Sequence, residues 1–179
     1  MSICKIESII KSIDQISWFK NLGKKIEEKE MEDILTYIAS FDKKINYKKV
    51  NNWNKVKRVI VNPDFNITWN NLELQYQVQL YAKALKYNEE KQLLSSLKCL
   101  NETTIHPIYA AASTAANSFK VFDIALARCA AGAASLSCYQ AAIAIAAKCE
   151  PQHPFLAKYR LFSRGRWPLS IVKSHFYIF

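Results

Sequence analysis

Apolar residues recur at intervals of three and four through most of this chain, which is the spacing that gathers side chains on one face of an α-helix. This pattern predicts an amphipathic helix over residues 3–20, a second from about Ile26 to Phe41, and two more over 69–87 and 89–100. The first of these helices carries its apolar face on Ile3, Ile6, Ile9, Ile10, Ile13 and Ile16. Each helix has one apolar face, so the pattern predicts that they pack around a shared core.

The stretch from Tyr109 to Cys149 differs from the rest because 16 of its 41 residues are alanine. Alanine has the highest helix propensity, so this stretch is predicted to form close-packed helices. Gly132, followed by Ser135 and Ser137, predicts a helix stop and a new N-cap that fold the stretch into a hairpin. A softer break is predicted within 117–123, with one bent helix as the open alternative. The expected helices are 106–118, 121–132 and 137–149.

The same region raises the question of a membrane span, because Cys129 to Ala147 is a run of 19 uncharged residues. That length is close to what crosses a bilayer. Gly132, Ser135 and Gln140 interrupt the run, and alanine inserts far less favourably than leucine. We therefore predict a core hairpin and no transmembrane span.

Two tripeptides resemble one another, His106-Pro107-Ile108 and His153-Pro154-Phe155. Each places a proline where it suits the first turn of a helix, since the missing N–H has no partner there in any case. Both are predicted helix starts, and a helical repeat is left open as an alternative. Beyond them, Ile171 to Phe179 is rich in strand formers and predicts a short extended C-terminus.

Together these elements predict an all-α fold of about seven or eight helices, arranged as one compact domain over residues 1–179. The alanine-rich hairpin lies at its centre and a short strand-like segment ends it. A chain of 179 residues is long enough to bury a sizeable core.

The formal net charge of the chain is +10, which bears on the class of partner that it could bind. Basic residues cluster in 43–58 and 158–173, stretches that contain no acidic residue and include several aromatic ones. Basic charge suits nucleic acid, an anionic membrane surface or an acidic protein partner, and by itself does not choose among them. The candidate partner-binding residues are Trp53, Lys57, Arg58, Arg160, Arg164, Arg166 and Trp167.

Catalytic and metal chemistry finds little support in the sequence. The chain has only three glycines, which excludes the usual phosphate-binding loops. The acids within 24–33 are predicted to form a solvated face. Cys129, Cys138, Cys149 and His153 have zinc-like outer spacings, but the gap between the second and third cysteine is a long apolar helical run. We expect no metal, no cofactor and no enzymatic activity.

The five cysteines are an odd number and most lie in apolar helical runs, which predicts free thiols in a reducing cytoplasm. By elimination, the predicted function is that of a cytoplasmic protein that binds a protein partner through its surface. The most concrete form is a bacterial immunity or antitoxin-type protein that occupies its cognate toxin. The alternative is a nucleic-acid-binding protein that uses the basic patches 43–58 and 158–173.

Overall fold

The structure, a computed structural model, describes residues 2–42, 44–121 and 123–179, with the backbone alone at 2–5, 8 and 14. Within those residues it contains seven α-helices and three short strands. The helices are α1 (Ser2–Ser12), α2 (Glu28–Ala39), α3 (Trp53–Ile60), α4 (Ile67–Leu85), α5 (Glu90–Ser118), α6 (Ile124–Ala146) and α7 (Pro154–Ser163). The strands are β1 (Asn46–Lys49), β2 (Pro168–Val172) and β3 (His175–Ile178).

A hairpin of two long helices, α5 and α6, lies at the centre of the fold. Helix α5 buries a continuous stripe at intervals of three and four, consisting of Leu93, Leu97, Leu100, Thr104, Ile108, Ala112 and Ala116. Helix α6 contacts α1, α4, α5 and α7. Its buried positions are mostly alanines, which let several helix axes approach α6 closely. The prediction of a compact, mostly helical fold is confirmed.

The turn of that hairpin lies elsewhere than Gly132, so this part of the prediction is wrong. Helix α6 runs unbroken through Gly132, whereas α5 ends at Ser118 and Lys120 takes the left-handed conformation at φ 56°. The N–H of Val121 then donates to the carbonyl of Ala116 at 2.9 Å, which closes a Schellman motif. A lysine occupies the position that usually favours glycine, so the sequence signal pointed to the wrong residue.

The next helix begins at the softer break. The side chain of Asp123 accepts the N–H of Leu126 at 3.1 Å and caps α6. The predicted separate helices 89–100 and 106–118 form the single helix α5, and 121–132 and 137–149 form α6. Burial of a continuous stripe on each helix outweighs the local cost of a glycine or a proline in its interior.

The two His-Pro tripeptides occupy different structural positions. Pro154 is at the start of α7, where His153 is the N-cap, which confirms that prediction. Pro107 lies inside α5, so the predicted helix start at His106 is wrong. The first tripeptide lies within a helix, whereas the second starts one. The pair therefore gives no support to a helical repeat.

A three-stranded sheet with the order β1-β3-β2 corrects the all-α assignment. The C-terminal strand prediction is confirmed, since β2 and β3 pair antiparallel between Pro168 and Ile178. Strand β1 pairs parallel to β3 and belongs to the basic patch 43–58. All four residues of β1 are exposed, so it has no alternation of apolar and polar residues that would identify it as a strand.

The sheet packs against α2 and α7 in a second core that includes Ile34, Ile38, Leu161, Ile171 and Phe176. Among the described helices, α6 alone is long and apolar enough to cross a membrane by length and composition. However, 61% of its most apolar stretch is buried inside the fold, as expected of a core helix.

Two substitutions in α6 test the hairpin from opposite sides. Ala130 is fully buried, so Ala130→Leu should lower the free energy of unfolding by about 1–3 kcal/mol through overpacking. Gly132 is exposed and a Cβ there would meet nothing within 4 Å, so Gly132→Ala should raise it by about 0.5–1 kcal/mol. Urea unfolding of both variants measures the difference. If both substitutions changed the free energy of unfolding in the same direction, the placement of α6 would be contradicted.

Candidate binding surface

The two tryptophans predicted to bind a partner lie in the core. Trp53 and Trp167 are each 2% exposed and their ring centroids lie 5.6 Å apart. Phe179 packs edge-on against Trp53, also at 5.6 Å. These rings join α3 to the C-terminus of the chain. In this conformation neither indole is accessible to a partner.

Arg166, also predicted to bind a partner, is 2% exposed and paired inside the protein. Its Nε and Nη2 atoms donate to the two carboxylate oxygens of Glu30 at 2.7 and 2.8 Å. The remaining donors bond to the backbone carbonyls of Asn21, Lys24 and Lys25. All five guanidinium donors therefore have an acceptor, as a buried arginine requires. This one side chain ties the loop before α2 and the first turn of α2 to the C-terminal segment.

Gly165 makes the approach of Arg166 possible. It has φ 84°, and a Cβ there would lie 2.6 Å from the carbonyl oxygen of Ser17. The carbonyl of Gly165 also accepts the N–H of Asn21 at 3.1 Å. Because only glycine combines this conformation with so close a contact, the residue fixes the turn that delivers Arg166 to its acceptors.

Arg160 and Arg164 share a single carboxylate on α2, that of Asp33. Arg160 donates through Nε to Oδ1 at 2.8 Å, and Arg164 donates to Oδ2. Each arginine also binds a backbone carbonyl, of Pro151 at 2.7 Å and of Lys29 at 2.9 Å respectively. The Asp33 side chain is 5% exposed. The basic patch 158–173 is thus largely neutralised within the protein.

Lys158 of α7 completes this internal pairing in a buried polar network. Its ammonium group lies 2.5 Å from Oε1 of Glu73, and the Tyr37 hydroxyl donates to the same oxygen at 2.8 Å. Trp69 donates its indole N–H to that hydroxyl at 3.1 Å. Burial and then the charge of Glu73 raise the pKa of Tyr37, so the phenol stays neutral. The network holds α2, α4 and α7 together.

Sequence analysis missed the acidic members of these pairs. Glu30 and Asp33 belong to a run that was predicted to be solvated, but both are buried. They share a helix face with Ile34 and Tyr37, since positions three and four apart on a helix are neighbours. That spacing was the available signal, whereas the identity of their arginine partners required the fold.

Of the two predicted basic patches, the one on β1 and α3 remains at the surface. We call the basic surface the exposed residues Lys44, Lys48, Lys49, Lys55 and Arg58. None of these five has an acidic partner among the described residues. Arg58 is the one candidate residue of the sequence analysis in this set; Lys43 lies outside the described residues.

Lys57 lies in the same stretch but pairs with Asp123 at 3.1 Å, with 64% of the lysine side chain and 30% of the aspartate side chain exposed. The hydrogen bond from Lys57, followed by that from the N–H of Leu126, lowers the pKa of Asp123. An exposed pair of this kind contributes little to stability. Lys57 therefore adds less free positive charge to this part of the surface than its neighbours do.

Among the residues whose side chains are described, the cysteines and histidines form no metal-binding cluster. Within the described part of the chain, no group of three or more His, Cys, Asp or Glu side chains could hold a metal ion. The four cysteines whose side chains are described, Cys99, Cys129, Cys138 and Cys149, are free. Burial raises the pKa of Cys138 to about 12, which keeps its thiol protonated and unreactive.

Comparison of the chain with protein-family models, with curated proteins and with solved structures found no match. The function is therefore inferred from the side chains described above.

Replacing the buried arginine tests its structural role. Arg166→Met leaves Glu30 buried without its cationic partner and removes the side-chain donors to the carbonyls of Asn21, Lys24 and Lys25, so we expect a loss of about 3–5 kcal/mol of unfolding free energy. Arg58→Met removes an exposed arginine and should change stability by no more than about 0.5 kcal/mol. Thermal and urea unfolding compare the two. Equal, small effects would refute the structural role of Arg166.

The N-cap of α7 makes stability depend on pH. Nδ1 of His153 accepts the N–H of Phe155 at 3.2 Å, which requires an unprotonated nitrogen. Burial, assisted by the charge of Lys83, lowers the pKa of His153 to about 4. A histidine in the unfolded chain has a pKa of about 6.5. The contribution of the neutral His153 cap to the free energy of unfolding is therefore complete above that pH, and it is lost as the pH falls from about 6.5 towards 4.

His153→Asn keeps a capping acceptor but does not titrate in this range. We expect the free energy of unfolding of the native protein to fall relative to that of this variant between pH 7 and pH 4.5. The slope of the difference should be below about 1.4 kcal/mol per pH unit. Urea unfolding at each pH measures it, and the comparison cancels the titration of the carboxylates. Parallel curves would exclude the assigned role.

Proposed function

We propose that this chain is a non-enzymatic cytoplasmic protein that binds the acidic face of a protein partner through its basic surface. The observation that carries the proposal is the contrast between two sets of cations. Arg160, Arg164 and Arg166 pair with buried acids, whereas the five residues of the basic surface have no acidic partner among the described residues. Unpaired surface charge of one sign favours and accelerates association with a surface of the opposite sign.

The most concrete version is an immunity or antitoxin-type protein that covers a cognate toxin. Small size and a surface-borne binding site are compatible with that role. A net charge of +10 adds a constraint on the partner. Like-charged surfaces repel, so the toxin domain would have to present an acidic face, and a strongly basic nuclease domain would fit poorly.

The internal polar groups support a binding role over catalysis. Tyr37, Glu73 and Lys158 are buried and hydrogen-bonded to one another, and each of the carboxylates Glu30 and Asp33 binds arginine. Groups committed in this way serve to fix the positions of the helices. A catalytic acid or base needs a free face towards a substrate.

Nucleic acid is the second candidate, because the exposed ring of Tyr47 lies among the lysines of β1. Base stacking on an aromatic ring beside lysines is typical of single-strand binding. However, the basic surface offers only about five phosphate contacts, which limits the salt slope to roughly −4 on logarithmic axes. We therefore expect weak binding of mixed-sequence DNA and RNA at physiological salt.

The decisive experiment reverses charge on the basic surface. The variant Lys48→Glu/Lys49→Glu/Lys55→Glu should lose a partner that the native protein retains after crosslinking and purification from its own cells. The matched control Lys11→Glu/Lys86→Glu/Lys91→Glu changes three exposed lysines elsewhere by the same charge. It should keep the partner, since only total charge has changed. Circular dichroism confirms that both variants are folded.

Two further measurements separate the candidates. Treatment with DNase and RNase should leave the captured partner in place if it is a protein. Fluorescence anisotropy with mixed-sequence RNA and DNA should show only weak binding at physiological salt. A sub-micromolar, steeply salt-dependent affinity that the first variant abolishes would reject the protein partner in favour of nucleic acid. Equal loss of the partner in both triple variants would assign binding to net charge and reject the basic surface.

A further inference from the structure

The outer side of the α5–α6 hairpin carries a long groove that contains none of the basic-surface residues. One end, of about 630 Å³, lies between Ile105 and Leu136, and the other, of about 180 Å³, lies between Asn117 and Ile124. Tyr109 lines both, so the two ends adjoin at this residue. On α5 the groove follows a single row with a spacing of four residues, formed by Asn101, Ile105, Tyr109, Ser113 and Asn117.

The length of this groove selects its occupant. The sixteen helical steps from position 101 to 117 extend about 24 Å at about 1.5 Å per residue. That is far longer than a small molecule requires, and it matches a helix of about 16 residues. Four large apolar side chains remain exposed along it, Ile105 at 46%, Tyr109 at 37%, Ile124 at 61% and Leu136 at 43%. Two such ridges with a trough between them are the surface into which an amphipathic helix docks.

Gly132 gives independent support. It lies in the interior of α6 and lines the groove, and a Cβ there would meet nothing within 4 Å among the described residues. Glycine destabilises a helix interior relative to alanine, yet no contact inside the described protein requires it. An exposed glycine backbone in a groove allows another backbone to approach closely, as small residues do at helix crossings.

Charge indicates what the docking helix carries. Arg128 projects from the same groove, is exposed, and has no acidic partner among the described residues. His106 lies on the opposite wall. A second copy of this chain, also with a net charge of +10, would bring like charges together at such a contact. An acidic residue on the incoming helix would complement Arg128.

We infer that the α5–α6 groove binds one amphipathic α-helix of a partner protein, with its apolar face on Ile105, Tyr109 and Leu136, its backbone over Gly132, and an acidic residue at Arg128. This inference rests on the proposed role as a protein-binding protein but concerns a separate surface. The groove gives specificity of shape, and the basic surface gives attraction at long range.

The test selects binders from a display library of random peptides of about 16 residues, with the native protein as bait. We expect the selected sequences to place apolar residues at i, i+3, i+4 and i+7 and to share an acidic position. Gly132→Leu adds a large side chain to the groove at a position where a Cβ meets no described atom within 4 Å, so it should weaken binding about tenfold or more. Ala82→Leu, which places the same leucine side chain at an exposed position of α4, should leave binding unchanged.

Charge exchange adds a second criterion. Arg128→Glu should weaken a selected peptide, and replacing the acidic residue of that peptide with lysine should restore binding. The triple variant of the basic surface should bind the peptides as the native protein does. Loss of a cellular partner in that variant and loss of peptide in Gly132→Leu thus test two surfaces separately.

Several results would overturn the inference. One is a set of selected peptides without helical spacing, or peptides that bind Gly132→Leu as tightly as the native protein. Another is a native dimer that Gly132→Leu dissociates, which would make the groove an interface between copies of this chain. A third is binding to vesicles of anionic phospholipid that Arg128→Glu and Gly132→Leu abolish, which would assign the groove to a membrane surface.

Discussion

The buried guanidinium of Arg166 joins segments of this chain that lie far apart in sequence. It lies 136 residues from Glu30 along the chain and binds both oxygens of that carboxylate. The same group binds three carbonyls of the loop that precedes α2. Removing five donors from water costs free energy unless each one finds an acceptor. The position of that loop, the start of α2 and the C-terminal segment are therefore interdependent.

The neighbouring arginines extend the same constraint along α7. Asp33 receives Arg160 and Arg164, one residue on α7 and one at its end, so α2 and α7 are held at two points by charge as well as by the apolar contacts of Ile34 and Leu161. The buried ion pair between Lys158 and Glu73 also connects α7 to α4. Four cations of the segment 158–166 are thus paired with buried acids and stabilise the packing of the helices.

This division of charge determines what the surface presents. With the basic residues of α7 neutralised by acids of α2 and α4, the unpaired positive charge of 44–58 stands out on an edge strand and a short helix. Lysines on an exposed edge strand also prevent uncontrolled pairing with other strands. The α5–α6 hairpin offers a surface of another kind, because its inner faces bury alanine while its outer faces leave an apolar groove. The two surfaces are consistent with the proposed binding role, since one would act through charge and the other through shape.

The sequence by itself determined the helical character, the alanine-rich centre and the C-terminal strand, because the spacing of apolar residues and helix propensity act locally. It also predicted a break within 117–123 and a helix start at His153-Pro154, where the side chains of Asp123 and His153 cap the helices that follow. It misplaced the hairpin turn, because a lysine adopts the left-handed conformation at 120 and glycine lies within a helix at 132.

Only the tertiary structure decided which charges are free. Arg166 and Arg58 are equally basic in sequence, yet one is enclosed by Glu30 and three carbonyls while the other faces solvent. Strand β1 likewise has no local signal, since its identity depends on hydrogen bonds to β3, about 130 residues later. Ion pairs and strand pairing join residues that are distant along the chain, whereas periodicity and propensity report only on neighbours. The candidate surfaces therefore followed from the fold and not from the pattern of residues.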